Sequence, residues 1–186
     1  NKNRWSTSPN YQGEPRVAIQ RRRPGFGYRH VVKQSEVYSF LQIVPDWNRL
    51  GRQLNRIILD EGSEHRSGWF QRGEVGICAF PRDLIVGFDK QFFFRDIDFF
   101  TRFNVPYYLA EDEEAAQHEL TCEFSTATAR YYLLMRTFLH ELGHHLDLIT
   151  NRKRWCTRGE DYAEEFGRKL ERQMWSDYCR LFGVPK

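Results

Sequence analysis

The sequence lacks long hydrophobic runs. No stretch of its 186 residues approaches the roughly 20 consecutive apolar residues that a membrane-spanning helix needs. No apolar segment of a secretory signal peptide is visible either. We therefore expect no membrane span, and the missing signal favours a cytoplasmic location. Because the first residue is Asn1 rather than Met, the sequence is also compatible with removal of an upstream segment.

Cysteine is scarce and widely spaced. The four cysteines are Cys78, Cys122, Cys156 and Cys179, with no C-x-x-C pair among them. This spacing excludes a ribbon-type zinc site and a small domain held together by disulfides. The even number leaves two long-range disulfides open, but we expect reduced, partly buried thiols, which again favours a cytoplasmic location.

The net charge of the chain is also small. The formal net charge of +3 is too low to indicate a nucleic-acid partner. Two local basic clusters, Arg21–Arg23 and Arg152–Arg154, are typical of solvated loops. We therefore expect that nucleic acid is not the main partner.

The length fits one domain with a sizeable core. Residues 1–30 are polar and rich in Pro, Gly and Arg, which predicts a basic N-terminal arm. The domain itself is predicted over residues 31–186. Dense aromatic runs such as Phe92–Phe94 indicate a well-packed interior.

Hydrophobic periodicity predicts an α+β fold, with a short mixed sheet followed by two long helices. The predicted elements are a helix over 46–58, strands over 74–80 and 84–88, a helical segment over 91–103, a long helix over 122–149 and a last helix over 159–182.

The stretch FLHELGHHLD, residues 138–147, holds three of the six histidines. Within it, HELGH fits the pattern H-E-x-x-H. Residues four apart lie on the same helix face, so the imidazoles of His140 and His144 can bind one Zn²⁺ ion. Glu141 lies about 100° round the helix and is placed to act on a water molecule beside that ion.

Three other residues of this stretch have possible roles. Gly143 lets another segment or a substrate approach the helix, at a cost of about 1 kcal/mol in helix propensity. Asp147 is a candidate acceptor for the N–H group of a ligand histidine, or forms an ion pair with Arg152 or Arg154. His145 points to another side and is expected to be a cleft-rim or hydrogen-bonded residue rather than a ligand.

A catalytic zinc site needs a third protein ligand. Thr150 stands where the long metzincin pattern requires histidine, which excludes that class. The segment GEDYAEEFG, residues 159–167, places Glu160 and Glu164 on one helix face. Spacing alone leaves Glu160, Glu164 and Asp161 open as ligands, and the sequence T-R-G-E also fits a capping box in which Glu160 serves only the helix start.

HELGH followed by EDYAE resembles the gluzincin metallopeptidases, and in motif is closest to the anthrax-lethal-factor-like peptidases. The resemblance covers about thirty residues. It implies a small zincin-like domain in which a long active-site helix is followed by a glutamate-bearing helix. It also implies that Glu160 is the third ligand beside His140 and His144, and that Glu164 supports a ligand histidine.

The resemblance implies a zinc metalloendopeptidase with one Zn²⁺ ion. Peptide bonds of a peptide or protein substrate would be hydrolysed by a zinc-bound water that Glu141 activates. The substrate would add as a strand to the sheet edge, for which EVGICAF, residues 74–80, is the candidate. The possible donors to the developing oxyanion are Tyr131, Tyr132, Tyr162, Arg154 and Arg158.

Two other functions fit the same motif. A regulatory or interaction module could keep the zinc site without efficient hydrolysis, although the intact Glu141 favours an enzyme. The basic clusters would suit a nucleic-acid-associated protease of the SprT-like kind.

Overall fold

The computed structural model describes residues 16–109, 119–151 and 158–186. The strands, in chain order, are β1 (Ala18–Arg21), β2 (Tyr28–Arg29), β3 (Arg56–Asp60), β4 (Gly68–Gln71), β5 (Glu74–Cys78), β6 (Phe80–Pro81), β7 (Ile85–Asp89), β8 (Tyr107–Leu109) and β9 (Glu119–Glu123). The helices are α1 (Gln34–Leu41), α2 (Trp47–Leu50), α3 (Lys90–Arg95), α4 (Ile97–Arg102), α5 (Thr126–Tyr131), α6 (Leu139–Thr150) and α7 (Gly159–Phe182). A π-helical segment, Tyr132–Phe138, joins α5 to α6 without a break.

The fold is α+β, as the sequence predicts. The larger sheet has the order β1-β3-β5-β4. Its first three strands are parallel and β4 is antiparallel to β5, so the sheet is mixed. A second sheet has the order β7-β9-β8 and is antiparallel, and β2 pairs with β6.

The N-terminal arm predicted over residues 1–30 does not extend to residue 30. Residues 1–15 lie outside the described part, but β1 pairs with β3 from Ala18 onward. Val17 and Ile19 are buried. The strand is short and lies among polar and basic residues, so its alternating apolar side chains do not stand out in the sequence. The domain therefore includes residues from Val17 onward.

The helix predicted over 46–58 is wrong. Helix α2 has four residues and ends at Leu50, with Gly51 as its C-cap residue, and Gln53 has a positive φ of 62°. The following apolar residues form the parallel strand β3, in which Ile57 and Ile58 are fully buried. A strand buried on both faces shows no alternation, so its apolar residues can match helical spacing by chance.

The strand predicted over 74–80 is confirmed as β5, but it lies inside the sheet between β3 and β4. The sheet edge nearest the HELGH helix is therefore β4, which the sequence did not predict. The strand predicted over 84–88 corresponds to β7. The aromatic helical segment is present as α3 and α4, which meet at Asp96.

The long helix predicted over 122–149 begins later than expected. Cys122 belongs to β9, and the helix starts after Ser125, whose side chain accepts a hydrogen bond from the Thr128 N–H group at 3.1 Å. This is an N-cap interaction. From there α5, the π-helical segment and α6 continue to Thr150. The last predicted helix, 159–182, is confirmed as α7.

Helices α6 and α7 pack closely because glycines face each other's backbones. A Cβ atom on Gly143 would lie 2.8 Å from the Cα atom of Ala163. A Cβ atom on Gly167 would lie 3.3 Å from the backbone nitrogen of His140. The segment that Gly143 admits is thus α7, and the contact brings the start of α7 against the HELGH turn.

Three cysteines are free thiols, Cys78, Cys122 and Cys179, which agrees with the expectation of reduced cysteines for these three; Cys156 lies outside the described residues. Within the described ranges, every helix is too short or too polar to cross a bilayer.

Candidate metal centre

The first two turns of α6 and the first turn of α7 bring three predicted ligands together. The Nε2 atoms of His140 and His144 are 3.1 Å apart. One carboxylate oxygen of Glu160 lies 3.1 Å from Nε2 of His140, and the other lies 3.3 Å from Nε2 of His144. These three side chains can converge on one metal ion.

The spacing of these atoms is compatible with one shared metal ion. Zinc binds imidazole nitrogen and carboxylate oxygen at about 2.0–2.2 Å, and tetrahedral geometry then separates neighbouring ligand atoms by about 3.3 Å. The two Nε2 atoms lie 3.1 Å apart, and each lies 3.1 or 3.3 Å from a different oxygen of the Glu160 carboxylate, so the observed separations are of this size. Two imidazoles and one carboxylate also form the donor set of catalytic zinc sites with an open fourth position.

Glu164 contacts the other nitrogen of the same histidine. Its Oε2 atom lies 3.4 Å from Nδ1 of His140, and a guanidinium N–H of Arg168 donates to its Oε1 atom at 2.5 Å. These two contacts outweigh the effect of burial and lower the pKa of Glu164 to about 2. The structure thus places Glu160 at the metal face of the cluster and Glu164 behind His140. Asp161 is exposed and is not a member of the cluster.

Electrostatics differ between the two histidines. Burial lowers the pKa of His140, but the hydrogen bond that its imidazole donates to Glu164 and the charges of Glu141 and Glu160 outweigh burial, and the pKa is raised. For His144, burial and the neighbouring charge of His140 lower the pKa. A carboxylate-supported imidazole is typical of metal-ligating histidine.

Glu141 points beside the cluster into a cleft of about 240 Å³ that Arg66, Gly68, Glu160 and others line. Burial raises its pKa to about 7, against the charges of His140 and Arg66, which lower it. A carboxylate with a pKa near 7 is suited to accept and return a proton at neutral pH. Arg66 is exposed and lies just before β4.

Strand β4 forms the wall of the cleft opposite α7. A Cβ atom on Gly68 would lie 2.4 Å from the side chain of Thr137 and 3.2 Å from that of Glu141, so only glycine lets the strand come this close. The Thr137 hydroxyl also donates to the hydroxyl of Ser67 at 3.0 Å. The Phe70 ring stacks on the His144 imidazole, with centroids 6.4 Å apart and an interplanar angle of 18°.

Asp147 and His145 have other partners than the metal ligands. The buried carboxylate of Asp147 accepts two hydrogen bonds of 2.6 Å from Arg158, one from its backbone N–H and one from its side chain. Asp147 thus anchors the start of α7, and its predicted ion-pair partners Arg152 and Arg154 lie outside the described residues. The His145 Nε2 atom lies 2.8 Å from the Arg52 carbonyl oxygen, which agrees with a hydrogen-bonded role.

The donors predicted for the oxyanion differ in their surroundings. The Tyr131 hydroxyl donates to Glu171 at 2.6 Å, whereas Tyr132 is buried but lines the cleft beside His140 and Glu141. The guanidinium of Arg158 binds Asp147 and lies 3.5 Å from the centroid of the Tyr162 ring. Arg154 lies outside the described residues. Arg66 also lines the cleft, and the sequence does not predict this position because no motif marks it.

The structure also contains a buried ionic cluster behind His140, which the sequence does not predict. The guanidinium groups of Arg136 and Arg168 each donate to the same oxygen of Asp96 at 2.8 Å. Arg136 also lies 3.2 Å from Glu171. The participants come from the α3–α4 junction, the π-helical segment and α7, and their sequence separation leaves no local pattern.

No protein-family model matches the chain, and comparisons with curated proteins and with solved structures find no match either.

Proposed function

We propose that the chain is a zinc-dependent metallopeptidase of the gluzincin type. The observation that carries this proposal is the convergence of His140, His144 and Glu160 on one point, with Glu141 beside them in an open cleft. Structural zinc sites are closed by four protein ligands, whereas hydrolytic ones use three and leave a position for water.

The roles of the residues follow from their positions. His140, His144 and Glu160 would hold the ion. Bound there, Zn²⁺ would polarise a substrate carbonyl and make water more acidic. Glu141 accepts a proton from the attacking water and delivers it to the leaving amine, for which a pKa of about 7 is suited at neutral pH.

In this proposal, a peptide substrate binds along the edge of strand β4. This strand is an end strand of the larger sheet, so the backbone groups of its outer edge have no strand partner within the described residues. An extended peptide can add to such an edge through main-chain hydrogen bonds. Gly68 brings this edge within side-chain distance of Glu141, so the scissile carbonyl of an added strand would lie beside the proposed base and ligands.

Arg66 is our candidate for the donor that stabilises the oxyanion. It lines the cleft together with Glu141 and Glu160, and its charge lowers the pKa of Glu141. A guanidinium group presents several N–H donors and keeps its charge at all relevant pH values. A positive donor at the developing negative charge stabilises the transition state more than the substrate.

The deciding experiment compares the wild-type protein with the Glu141→Gln variant. Both are expected to bind one zinc ion per chain, and only the wild type is expected to cleave a peptide library. Glu123→Gln changes an exposed glutamate on β9 and is the control that keeps activity. Full activity of Glu141→Gln, or wild-type protein without zinc, would refute the proposal.

The two alternatives give different outcomes in the same experiment. A regulatory zinc module would bind zinc in the wild type and cleave nothing. A nucleic-acid-associated protease would bind DNA with a steep dependence on salt. Within one of its motivating clusters, Arg22 forms a 3.0 Å salt bridge with Asp60, and the other cluster lies outside the described residues.

A further inference from the structure

A continuous chain of charged contacts runs from the candidate metal ligand His140 into the interior. Glu164 lies between His140 and Arg168, with 3.4 Å to the imidazole and 2.5 Å to the guanidinium. Arg168 in turn donates to Asp96 at 2.8 Å. Arg136 donates to the same oxygen of Asp96, also at 2.8 Å.

This cluster joins three parts of the fold. Asp96 is the junction between α3 and α4, Arg136 belongs to the π-helical segment, and Arg168 belongs to α7. Asp96 is only 5% exposed, and the Arg136 side chain is 9% exposed. A second carboxylate, Glu171, is 4% exposed and lies at the far end of the cluster, where it accepts a hydrogen bond from the Tyr131 hydroxyl.

Stability alone is a weak reason for such a cluster. Removing charges from water is costly, and buried ion pairs are often no more stabilising than apolar side chains of the same size. Charge-assisted hydrogen bonds between guanidinium and carboxylate groups are directional, so they hold the groups they join in a defined relative position. Toward the surface the cluster includes Asp98, which pairs with Arg136 and Arg168. At the candidate metal centre it ends in the Glu164 carboxylate, which contacts His140.

We propose that Arg168 and Asp96 are positioning residues of the metal centre: Asp96 fixes Arg168, and Arg168 fixes Glu164 against Nδ1 of His140. The inference rests on the proposed zinc site. Glu164 uses one oxygen for the imidazole and the other for Arg168, so its carboxylate is held from both sides. The same contacts hold α7 in place, and with it Glu160, one turn before Glu164.

The alternative is that the cluster only holds the helices together. A purely structural role would lower thermal stability without changing the metal site of the protein that remains folded. A positioning role predicts in addition a weaker and differently shaped metal site, since partners of ligand histidines typically contribute 10- to 100-fold to metal affinity.

The test uses Arg168→Gln and Arg168→Lys in the full chain. Arg180→Gln is the matched control, because it removes an arginine of the same helix that pairs with a carboxylate, Asp177, at the surface. Zinc affinity is measured by competition with a chelator, and the visible absorption spectrum of the Co²⁺-loaded protein reports ligand geometry. Thermal unfolding of the metal-free proteins is measured beside them.

Arg168→Gln is expected to weaken zinc binding about 10- to 100-fold and to shift the Co²⁺ spectrum, whereas Arg180→Gln changes neither. Arg168→Lys keeps the charge but cannot bridge two carboxylates with a planar fork, so it should recover part of the affinity. If Arg168→Gln does not fold, Asp96→Asn, which keeps the side-chain shape, is measured in its place with the same expectation.

The two possible failures are distinguishable. Wild-type protein that binds no zinc would overturn the proposed function and this inference with it. Wild-type protein that binds zinc, with unchanged affinity and Co²⁺ spectrum in the Arg168 and Asp96 variants, would overturn only the positioning role.

Discussion

Glu160 and Glu164 lie one turn apart on α7 but contact different nitrogens of the same imidazole. Glu160 faces Nε2 of His140, on the side where His144 also points, and Glu164 faces Nδ1. A histidine that binds a metal through one nitrogen has the other available for a carboxylate. The two glutamates therefore have separate roles that their spacing alone cannot assign.

This difference predicts unequal effects of two matched substitutions. Glu160→Ala should abolish stoichiometric zinc binding, because only two protein ligands would remain. Glu164→Ala should leave a loaded site whose affinity is weaker by about 10- to 100-fold. Metal analysis of the purified variants, followed by chelator competition, measures both. The opposite order of effects would identify Glu164 as the ligand.

Arg66 offers a second test at the scale of one residue. Arg66→Ala should lower kcat by about 10²- to 10³-fold, the usual effect of losing one oxyanion donor. Arg66→Lys should recover part of this loss, since it keeps a charged donor. Steady-state kinetics on a cleaved peptide measures kcat and KM separately. A rise in KM with unchanged kcat would instead show that Arg66 only binds substrate.

At the scale of elements, the close contact between α6 and α7 depends on glycine. Alanine is favoured over glycine within a helix by about 1 kcal/mol, so a glycine in α6 must have a packing reason. At Gly143 a Cβ atom would lie 2.8 Å from backbone Cα and 3.0 Å from the backbone oxygen of Ala163. Neither atom can move without shifting α7.

Gly143→Ala should therefore destabilise the protein by about 1–3 kcal/mol, the typical cost of overpacking. Gly167→Ala is the matched comparison, because its closest contact would be 3.3 Å and the gain in helix propensity offsets more of the strain. Urea unfolding of the metal-free proteins gives both free energies. Equal stability of Gly143→Ala and the wild type would show that the helices can separate slightly at no cost.

Much of the C-terminal half could be predicted from sequence because its helices are long and amphipathic. Helix α7 was predicted with its observed bounds. The error over 46–58 arose because the fully buried strand β3 has no alternation to distinguish it from a helix. The error at Cys122 has a different origin: β9 alternates between buried and more exposed residues, but it leads into the helix after only two residues, Phe124 and Ser125.

For the site, the residues with helical spacing could be predicted and those brought together by the fold could not. His140, Glu141 and His144 follow from i, i+4 geometry on one helix. Arg168 and Asp96 are 72 residues apart, and nothing local links them. Asp147 shows the same limit, because the residue that binds it, Arg158, depends on how the chain turns between α6 and α7.

At the scale of the whole molecule, metal binding should couple to folding. The ligands come from two helices, so unfolding separates them, and a ligand that binds only the native state stabilises it by about 2.7 kcal/mol at a concentration 100 times its Kd. Zinc should therefore raise the Tm of the metal-free protein, and a chelator should reverse the rise. Thermal scans measure the Tm with and without zinc, and the Tm of His144→Gln should not rise when zinc is added. A wild-type Tm that does not respond to zinc would contradict the coupling between metal binding and folding.

Burial in the core also allows a prediction of which cysteine thiols react. Burial raises the pKa of Cys78 to about 11 and that of Cys122 to about 12, so at pH 8 both are thiols rather than reactive thiolates. Iodoacetamide should leave both unmodified in the folded protein and modify both in denaturant. Mass spectrometry of the peptides measures each site. Equal rates for Cys122 in the two states would mean that this core opens readily.

The position of the three ligands along the chain has a consequence for the order in which the protein assembles. His140 and Glu160 are 20 residues apart, so closing that loop costs little chain entropy, whereas Glu141 meets Gly68 across more than 70 residues. Local contacts generally form before distant ones. We therefore expect a refolding chain to capture zinc before its cleft is complete. Proteolytic activity would then return later than metal binding, which stopped-flow refolding in the presence of a zinc indicator can resolve.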